Sequence, residues 1–261
     1  MISNDSNAQI KEIAKLQKNA RERRKKGLFA VEGMKLVMEA AKHGRLQQIY
    51  VSETALERLS KEAGKLSRQY PMELVADAVL KSVSETVTPQ GILGLVQIPS
   101  YDLEEMLKDE RRTFLLLDDL RDPGNLGTIM RTAEGADMSG VILSRECVDL
   151  FNPKVVRSTM GAIFRVPFYY AEDLPEVIAI LKQRKIPVYG AMLQGSVVYD
   201  KVDYRSGAAI VVGNEANGIS DAVARQLSEK VRIPMAGSLE SLNAAVSAAV
   251  LMYEAARQKR E

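Results

Sequence analysis

Residues 231–250, with the sequence VRIPMAGSLESLNAAVSAAV, constrain the fold of this chain more than any other stretch. The first three residues form a short apolar run typical of a strand, and Pro234 ends it because proline has no N–H for a strand ladder. A glycine-containing loop follows. Ser241 then begins a predicted helix over 241–257, with the Ser238 and Ser241 hydroxyls as candidate caps. Backbone donors that point outward at such a turn suit a small ligand, although an ordinary strand-to-helix connection explains a single turn equally well.

Two earlier loops favour the ligand site over an ordinary strand-to-helix connection. Residues 122–133 read DPGNLGTIMRTA, residues 212–219 read VGNEANGI, and residues 233–243 contain IPM and ESLN. Together and in this order, the three loops resemble the SpoU (TrmH) family of RNA ribose 2′-O-methyltransferases, within the SPOUT superfamily. The resemblance covers the chain from about residue 113 to its last residue.

The second half of the sequence predicts a parallel α/β sheet. Residues 113–117 (TFLLL) are continuously apolar, as expected of a strand buried on both faces, and strands and helices alternate from there onward. Such sheets bind ligands outside the carboxyl ends of their strands. The residues alone indicate a Rossmann-like domain. The resemblance implies in addition a deep trefoil knot, which periodicity does not predict because knots are very rare.

Residues 1–98 show a separate alternating α/β pattern. The phrases FAVEG at 29–33 and TPQGI at 88–92 resemble the substrate-binding domain that often precedes the SpoU catalytic domain. That likeness implies a small, ribosomal-protein-like domain that binds RNA. Residues 99–112 are polar and charged and are predicted to be a linker, which leaves residues 113–261 as the catalytic domain.

Positive charge is concentrated near the N-terminus. The chain has a net charge of +2, but residues 1–50 hold eleven Lys or Arg and five acids. A basic segment on an otherwise mildly acidic chain suggests a polyanionic partner, here RNA, although a solvated basic face is the plainer alternative. A helix is predicted over 7–20, with lysines along one face. The candidate RNA-binding residues are Lys11, Lys15, Lys18, Arg21, Arg23 and Arg24.

Composition excludes several other classes of protein. Cys147 and His43 are the only residues of their types, so a disulfide is excluded, and a histidine triad or a metal site is improbable. The polar N-terminal segment does not read as a signal peptide, and no apolar run is long enough to cross a membrane. The sequence therefore predicts a cytoplasmic protein with no membrane partner.

The resemblance also implies roles for individual residues. The predicted catalytic set is Arg131, Asn125, Glu215, Ser241 and Asn243. Arginine is a poor general base because guanidinium hardly ever loses its proton. Arg131 is therefore predicted to clamp an RNA phosphate and stabilise the forming alkoxide. Glu215 is a candidate to accept the proton or to orient Arg131.

The implied methyl donor is S-adenosylmethionine, bound without a metal. The predicted cofactor-binding residues are Met192, Leu193, Gly213, Ile233, Met235 and Leu242. Gly213 is predicted to allow the ligand close to the backbone. Known members of the family are dimers through the knotted domain, and the predicted helix over 241–257 is apolar enough to supply such a face.

Three alternatives stay open. A transfer RNA substrate is the main rival to ribosomal RNA. A non-catalytic RNA-binding protein with a degenerate knot is a second alternative, although intact Asn125, Arg131, Glu215 and Asn243 oppose it. A dinucleotide-binding oxidoreductase is opposed by the lack of a GxGxxG sequence after any strand.

Overall fold

The computed structural model describes residues 1–260, apart from the side chain of Ser60. In chain order, the α-helices are α1 (Ala8–Lys18), α2 (Ala20–Lys26), α3 (Met34–Lys42), α4 (Glu53–Arg58), α5 (Ser60–Leu66), α6 (Asp77–Ser82), α7 (Leu103–Met106), α8 (Pro123–Gly135), α9 (Pro153–Ser158), α10 (Leu174–Gln183), α11 (Asp221–Ala224) and α12 (Ala244–Arg260). The strands are β1 (Leu28–Glu32), β2 (Leu46–Ser52), β3 (Met72–Val75), β4 (Ile92–Gln97), β5 (Thr113–Leu117), β6 (Gly140–Ser144), β7 (Phe168–Ala171), β8 (Val188–Ala191), β9 (Val197–Val198), β10 (Ala208–Val212) and β11 (Glu229–Arg232). Short 3₁₀ turns occur at Ala162–Phe164 and Tyr199–Lys201.

The chain divides into two compact units. The first unit holds residues 1–99 together with residues 149–164, and the second holds residues 100–148 together with the chain from Arg165 onward. The sequence-based boundaries placed residues 149–164 in the catalytic part, whereas the structure packs them in the first unit. The physical reason is aromatic contact, because the ring of Phe151 lies 4.9 Å from that of Phe29 and the ring of Phe164 lies 6.2 Å from it.

The first unit is built on a four-stranded sheet in the order β1-β4-β2-β3. Strand β4 pairs antiparallel with both of its neighbours, while β2 and β3 are parallel. Helix α1 buries Ile10, Ile13 and Leu16 in the core of this unit, so the apolar stripe predicted from helical spacing is confirmed.

The predicted helix over 7–20 ends earlier than expected. Asn19 has extended backbone angles, and its side-chain oxygen accepts hydrogen bonds from the backbone N–H groups of Arg21 and Glu22. Asparagine in this position caps a new helix. The basic run RERRKK therefore lies in a second helix, α2, and Gly27 ends α2 with a positive φ of 64°.

Arg23 does not fit the predicted RNA-binding role. Its side chain points into the first unit, and the residue is only 3% exposed. Its guanidinium donates to Asp149 Oδ2 at 2.5 and 2.8 Å and to the backbone oxygens of Leu16 at 2.6 Å and Gln17 at 3.0 Å. The restart of the helix at Asn19 turns this one arginine inward, where it links α1, α2 and the segment that begins at Asp149.

The second unit is built on a seven-stranded sheet in the order β7-β6-β5-β10-β8-β11-β9, and all of its described pairings are parallel. Every residue of β5, β6 and β10 is buried, as the continuous apolar run over 113–117 predicted for β5. Strand β10 lies between β5 and β8, although both precede it in the chain.

The predicted linker over 99–112 belongs to the second unit. Helix α7 falls within it, and Leu103, Met106 and Leu107 are buried in the core that contains α10 and the sheet. The polar composition of this stretch predicted a linker, but these three apolar side chains pack in the core of the second unit. Within residues 1–260, no helix combines the length and apolar character needed to cross a bilayer.

Candidate active site

A cleft of about 730 Å³ lies beyond the carboxyl ends of β8, β10 and β11 in the second unit. Its walls come from the loops that follow these strands and from the start of α12. Small-molecule sites in proteins typically measure roughly 300–1,000 Å³, and parallel sheets bind ligands at this edge. The cleft therefore has the size and the position of a ligand site.

The structure brings the six predicted cofactor-binding residues together along this cleft. All of Met192, Leu193, Gly213, Ile233, Met235 and Leu242 line it. Strand β8 ends at Ala191, two residues before the predicted strand end, and so Met192 and Leu193 lie in the loop at the cleft. Leu193 is 53% exposed, so its side chain is accessible to a ligand in the cleft.

The structure shows a second reason for glycine at position 213, besides the predicted approach of a ligand. A Cβ at this position would lie 2.2 Å from the carbonyl carbon of Gly218 and 2.3 Å from the nitrogen of Ile219. Asn214 and Gly218 close the loop with two backbone hydrogen bonds of 2.9 Å each. The atoms that approach Gly213 therefore belong to its own loop, and no ligand is needed to explain the glycine.

We expect Gly213→Ala to destabilise the protein strongly. Overpacking against a fixed backbone costs about 3 kcal/mol or more, which lowers the melting temperature of a domain of this size by roughly 6–12 °C. Gly237→Ala is the matched control, because a Cβ on Gly237 meets no atom within 4 Å and should leave the melting temperature unchanged. Equal melting of Gly213→Ala and the wild type, measured by calorimetry, would contradict the close packing of this loop.

Three of the predicted catalytic residues form one hydrogen-bonded relay. Asn243 Nδ2 donates to Asn125 Oδ1 at 3.0 Å, and Asn125 Nδ2 donates to Glu215 Oε1 at 3.0 Å. Glu215 Oε1 also accepts from the backbone N–H of Asp122 at 2.9 Å, and Oε2 accepts from that of Arg121 at 3.1 Å. The relay joins the three loops whose sequences carry the family resemblance.

The Glu215 carboxylate is held in its ionised form. Partial burial raises its pKa, but hydrogen bonds from the Asn125 side chain and from the backbone of Asp122 and Arg121 outweigh burial, so the pKa lies below its ordinary value. Both of its oxygens already accept hydrogen bonds. Glu215 is therefore suited to hold the relay together and poorly suited to take a proton.

The cap of α12 differs from the prediction. The helix begins at Ala244, not at Ser241, and Asn243 Oδ1 accepts from the backbone N–H groups of Ala245 at 2.9 Å and Val246 at 3.4 Å. Among residues 1–260, neither Ser238 nor Ser241 has a hydrogen-bond partner for its side chain. Asn243 therefore has a structural role as a cap, and the exposed Ser241 hydroxyl at the cleft is left for a ligand.

Arg131 lies on α8, the helix whose first turn contains Asn125. The residue is exposed and does not line the cleft, and nothing in the described part of the chain accepts a hydrogen bond from its guanidinium. The same helix begins at the relay, with the Asp122 side chain capping the N–H of Asn125 at 2.7 Å. Arg131 is thus a free cation on a rigid element that the relay fixes.

Sequence reasoning missed Asp118 and Asn214, two residues whose side chains hold these loops in place. The buried Asp118 accepts from the backbone N–H of Ser220 at 2.7 Å, and Asn214 Nδ2 donates to the backbone oxygen of Asp119 at 2.8 Å. Asp119 adopts a positive φ of 58° to make this possible. The available signal was a pair of aspartates directly after the buried strand TFLLL, where a polar group needs a partner.

The predicted RNA-binding residues lie in the first unit, on α1 and α2. Five of the six are exposed, and Arg23 is the buried exception. The exposed five are Lys11, Lys15, Lys18, Arg21 and Arg24. The neighbouring Lys25 and Lys26 are exposed as well, and Lys26 pairs with Glu12 at 2.5 Å.

A parallel sheet with a cleft of mixed polar and apolar lining at its carboxyl edge, and a hydrogen-bonded relay along it, is the arrangement of an α/β domain with a small-molecule site. Comparison with known proteins is more specific. The profile of the SpoU rRNA Methylase family matches residues 112–253, and that of the MRM3-like substrate binding domain matches residues 7–94. The chain belongs to the SpoU rRNA methylase family, as its three loops predicted.

Named relatives span nearly the whole chain. The 23S rRNA (guanosine(2553)-2′-O)-methyltransferase RlmP of Bacillus subtilis (strain 168) is 34% identical over 253 residues, with 97% of each chain covered. The 23S rRNA (uridine(2479)-2′-O)-methyltransferase of Streptomyces viridochromogenes is 28% identical over 260 residues, covering 97% of this chain and 91% of that protein.

Solved structures of the family superpose closely. The SpoU methyltransferase AviRb from Streptomyces viridochromogenes, in complex with the cofactor AdoMet, has a TM-score of 0.90 at 30% identity and covers 98% of this chain and 99% of its own. An rRNA methyltransferase from Sinorhizobium meliloti has a TM-score of 0.87 at 32% identity, with 98% and 96% covered. The predicted α/β fold is confirmed, and the knot implied by the resemblance goes with membership of this family.

Proposed function

We propose that this protein transfers the methyl group of S-adenosylmethionine to a ribose 2′-hydroxyl of ribosomal RNA. The observation that carries the proposal is the cleft at the carboxyl edge of the sheet, with the relay of Glu215, Asn125 and Asn243 along it. Two named relatives act on 23S rRNA at a 2′-oxygen, and one structural neighbour was crystallised with AdoMet. The two relatives modify a guanosine and a uridine, so the family alone does not fix the base beside the target ribose.

The cleft fits this donor by its chemistry. Apolar side chains from three loops suit the two faces of an adenine ring, and loop backbone supplies hydrogen bonds at its edges. When bound, the donor supplies an electrophilic methyl group on a positively charged sulfur. The cleft walls align that group with the attacking oxygen and exclude water, which is the main work of the protein in a direct displacement.

The roles of the polar residues follow from their contacts. Arg131 has free donors for the RNA phosphate next to the target ribose, where it stabilises negative charge that develops on the 2′-oxygen. Since hydrogen bonds hold the pKa of Glu215 below its ordinary value, this carboxylate is a weak base, and the proton passes to a phosphate oxygen or to water. Ser241 faces the same cleft with its hydroxyl unused.

The test is methyl transfer to RNA from cells that lack the gene for this protein. We expect tritium from labelled S-adenosylmethionine to enter ribosomal RNA at a position that becomes resistant to alkaline cleavage, because 2′-O-methylation blocks the attacking hydroxyl. Label in transfer RNA would favour the transfer RNA alternative. Tight donor binding with no label in any RNA would favour the non-catalytic RNA-binding protein.

In this proposal residues 1–98 grip the RNA and residues 113–261 carry out the transfer. Changing Lys15, Lys18, Arg21 and Arg24 together to Ala should weaken RNA binding and make its logarithmic salt dependence shallower by roughly 3, because each lost phosphate contact removes released counterions. The matched control changes the exposed Lys61, Lys65 and Arg68 to Ala. If the logarithmic salt dependence of RNA binding is the same in the wild type, the α1–α2 variant and the control variant, the α1–α2 residues belong to an ordinary solvated surface.

The proposal includes a homodimer formed through the second unit. Helix α12 leaves Val246 48% and Tyr253 47% exposed, and residues seven apart lie on one face of a helix. Sedimentation of the wild type at micromolar concentration should give twice the mass of one chain. The double variant Val246→Glu and Tyr253→Glu should give the mass of a single chain.

The proposal also puts the enzyme where ribosomes are assembled, which in a bacterium is the cytoplasm.

A further inference from the structure

Charged residues are few along the cleft. Among the described residues that line it, only Glu215, Arg232 and Glu240 carry charge. Glu215 is engaged in the relay, which leaves one cation and one anion in the same cleft without an assigned role. Neither Arg232 nor Glu240 forms an ion pair with any described residue, although opposite charges on a protein surface often pair.

Arg232 is the last residue of β11 and is exposed. Its Nη1 donates a short hydrogen bond to the backbone oxygen of Ser196, in the loop between β8 and β9. Within residues 1–260, Nε and Nη2 have no acceptor. The guanidinium is therefore anchored at one nitrogen and presents two parallel N–H donors, which is the arrangement that binds a carboxylate in bidentate fashion.

Glu240 lies in the loop between β11 and α12, directly before Ser241. Its carboxylate is exposed, and the described part of the chain supplies no donor to it. A free carboxylate on the wall of this cleft suits a ligand ammonium group, because charge-assisted hydrogen bonds are stronger than neutral ones.

We infer that Arg232 and Glu240 bind the amino-acid end of the methyl donor, with Arg232 holding its α-carboxylate and Glu240 its α-ammonium group. The inference rests on the proposed function and goes further by naming the residues that bind the amino-acid end of the donor. The apolar side chains receive the adenine, while the opposite charges of Arg232 and Glu240 match the zwitterion of the amino-acid end. Both residues then act in donor selection and not in the displacement itself.

Calorimetric titration with donor analogues tests this assignment. The probes are S-adenosylhomocysteine, which carries both charged groups, 5′-methylthioadenosine, which lacks the amino-acid end, and decarboxylated S-adenosylmethionine, which lacks only the carboxylate. We expect Arg232→Met to lower the affinity for S-adenosylhomocysteine roughly tenfold to a hundredfold and to leave the affinities for the other two probes within twofold of the wild type. Glu240→Gln should lower the affinity for S-adenosylhomocysteine and for the decarboxylated compound but not for 5′-methylthioadenosine.

Lys230→Met is the matched control, because Lys230 lies on the same strand but does not line the cleft, and it should bind all three probes like the wild type. Unchanged binding of S-adenosylhomocysteine to Arg232→Met would overturn the assignment. So would an equal loss for 5′-methylthioadenosine, since that result means that Arg232 only supports the loop at Ser196. A wild-type protein that binds none of the probes would instead refute the proposed cofactor, which separates the two failures.

Discussion

Arg131→Ala is expected to abolish methyl transfer while leaving donor binding unchanged. Arg131 is exposed on α8, has no described partner and does not line the cleft, so the folded protein and the donor site do not depend on it. Loss of a group that stabilises developing oxyanion charge costs roughly 10²–10³ in rate, and the lost phosphate clamp adds to that. Single-turnover rates with ribosomal RNA measure the first effect, and calorimetric titration with S-adenosylhomocysteine measures the second.

Two further variants sharpen the test. Arg131→Lys keeps the charge but loses the planar fork, and so we expect only partial recovery of the rate. Arg225→Ala removes another exposed arginine of the second unit, at the end of α11 and away from the cleft, and should leave the rate unchanged. If Arg131→Ala instead loses donor binding, the ribose side is the wrong place for Arg131.

Glu215→Gln is expected to lower the rate of methyl transfer at least tenfold without changing its pH dependence between pH 6 and pH 9. The carboxylate accepts three N–H donors, and an amide would turn its own NH₂ group toward at least one of them. An unpaired donor costs about 1–3 kcal/mol when buried, and less here because Glu215 is partly exposed. The amide of Asn125 would then lose its fixed orientation, and so would Asn243.

The sign of the pH effect follows from the lowered pKa of Glu215. A carboxylate whose pKa is lower in the folded state contributes stability that is present above its unfolded pKa and is lost as pH falls through its folded pKa. That window lies below the ordinary range of glutamate, so Glu215 stays ionised above pH 6. Wild type and variant should therefore give parallel rate profiles. An acidic limb present in the wild type and absent from Glu215→Gln would show that Glu215 is the base after all. Glu229→Gln, an exposed change on β11, is the control.

Local patterns in the sequence predicted much of the fold and of the cleft. A continuous apolar run identified β5, and helical spacing identified the buried face of α1. The resemblance to SpoU enzymes led to six predicted cofactor-binding residues, four of them in the three loops and two, Met192 and Leu193, after the strand that ends at Ala191, and all six line the cleft. These features are readable because each is set by neighbours within a few positions of the chain.

Contacts between distant positions were decided only by the tertiary structure. The inward turn of Arg23 depends on Asp149, and the need for glycine at 213 depends on the backbone at Gly218 and Ile219. The three hydrogen bonds that Glu215 accepts come from residues 121–125, which lie ninety or more positions earlier in the chain. Likewise, residues 149–164 pack in the first unit through Phe29. Periodicity records which face of an element is buried, but it carries no information about which distant partner covers that face. That is why the sequence by itself determined the family, the α/β fold and several residues of the cleft. The tertiary structure alone decided which of those residues hydrogen-bond to one another and which have no partner among the described residues.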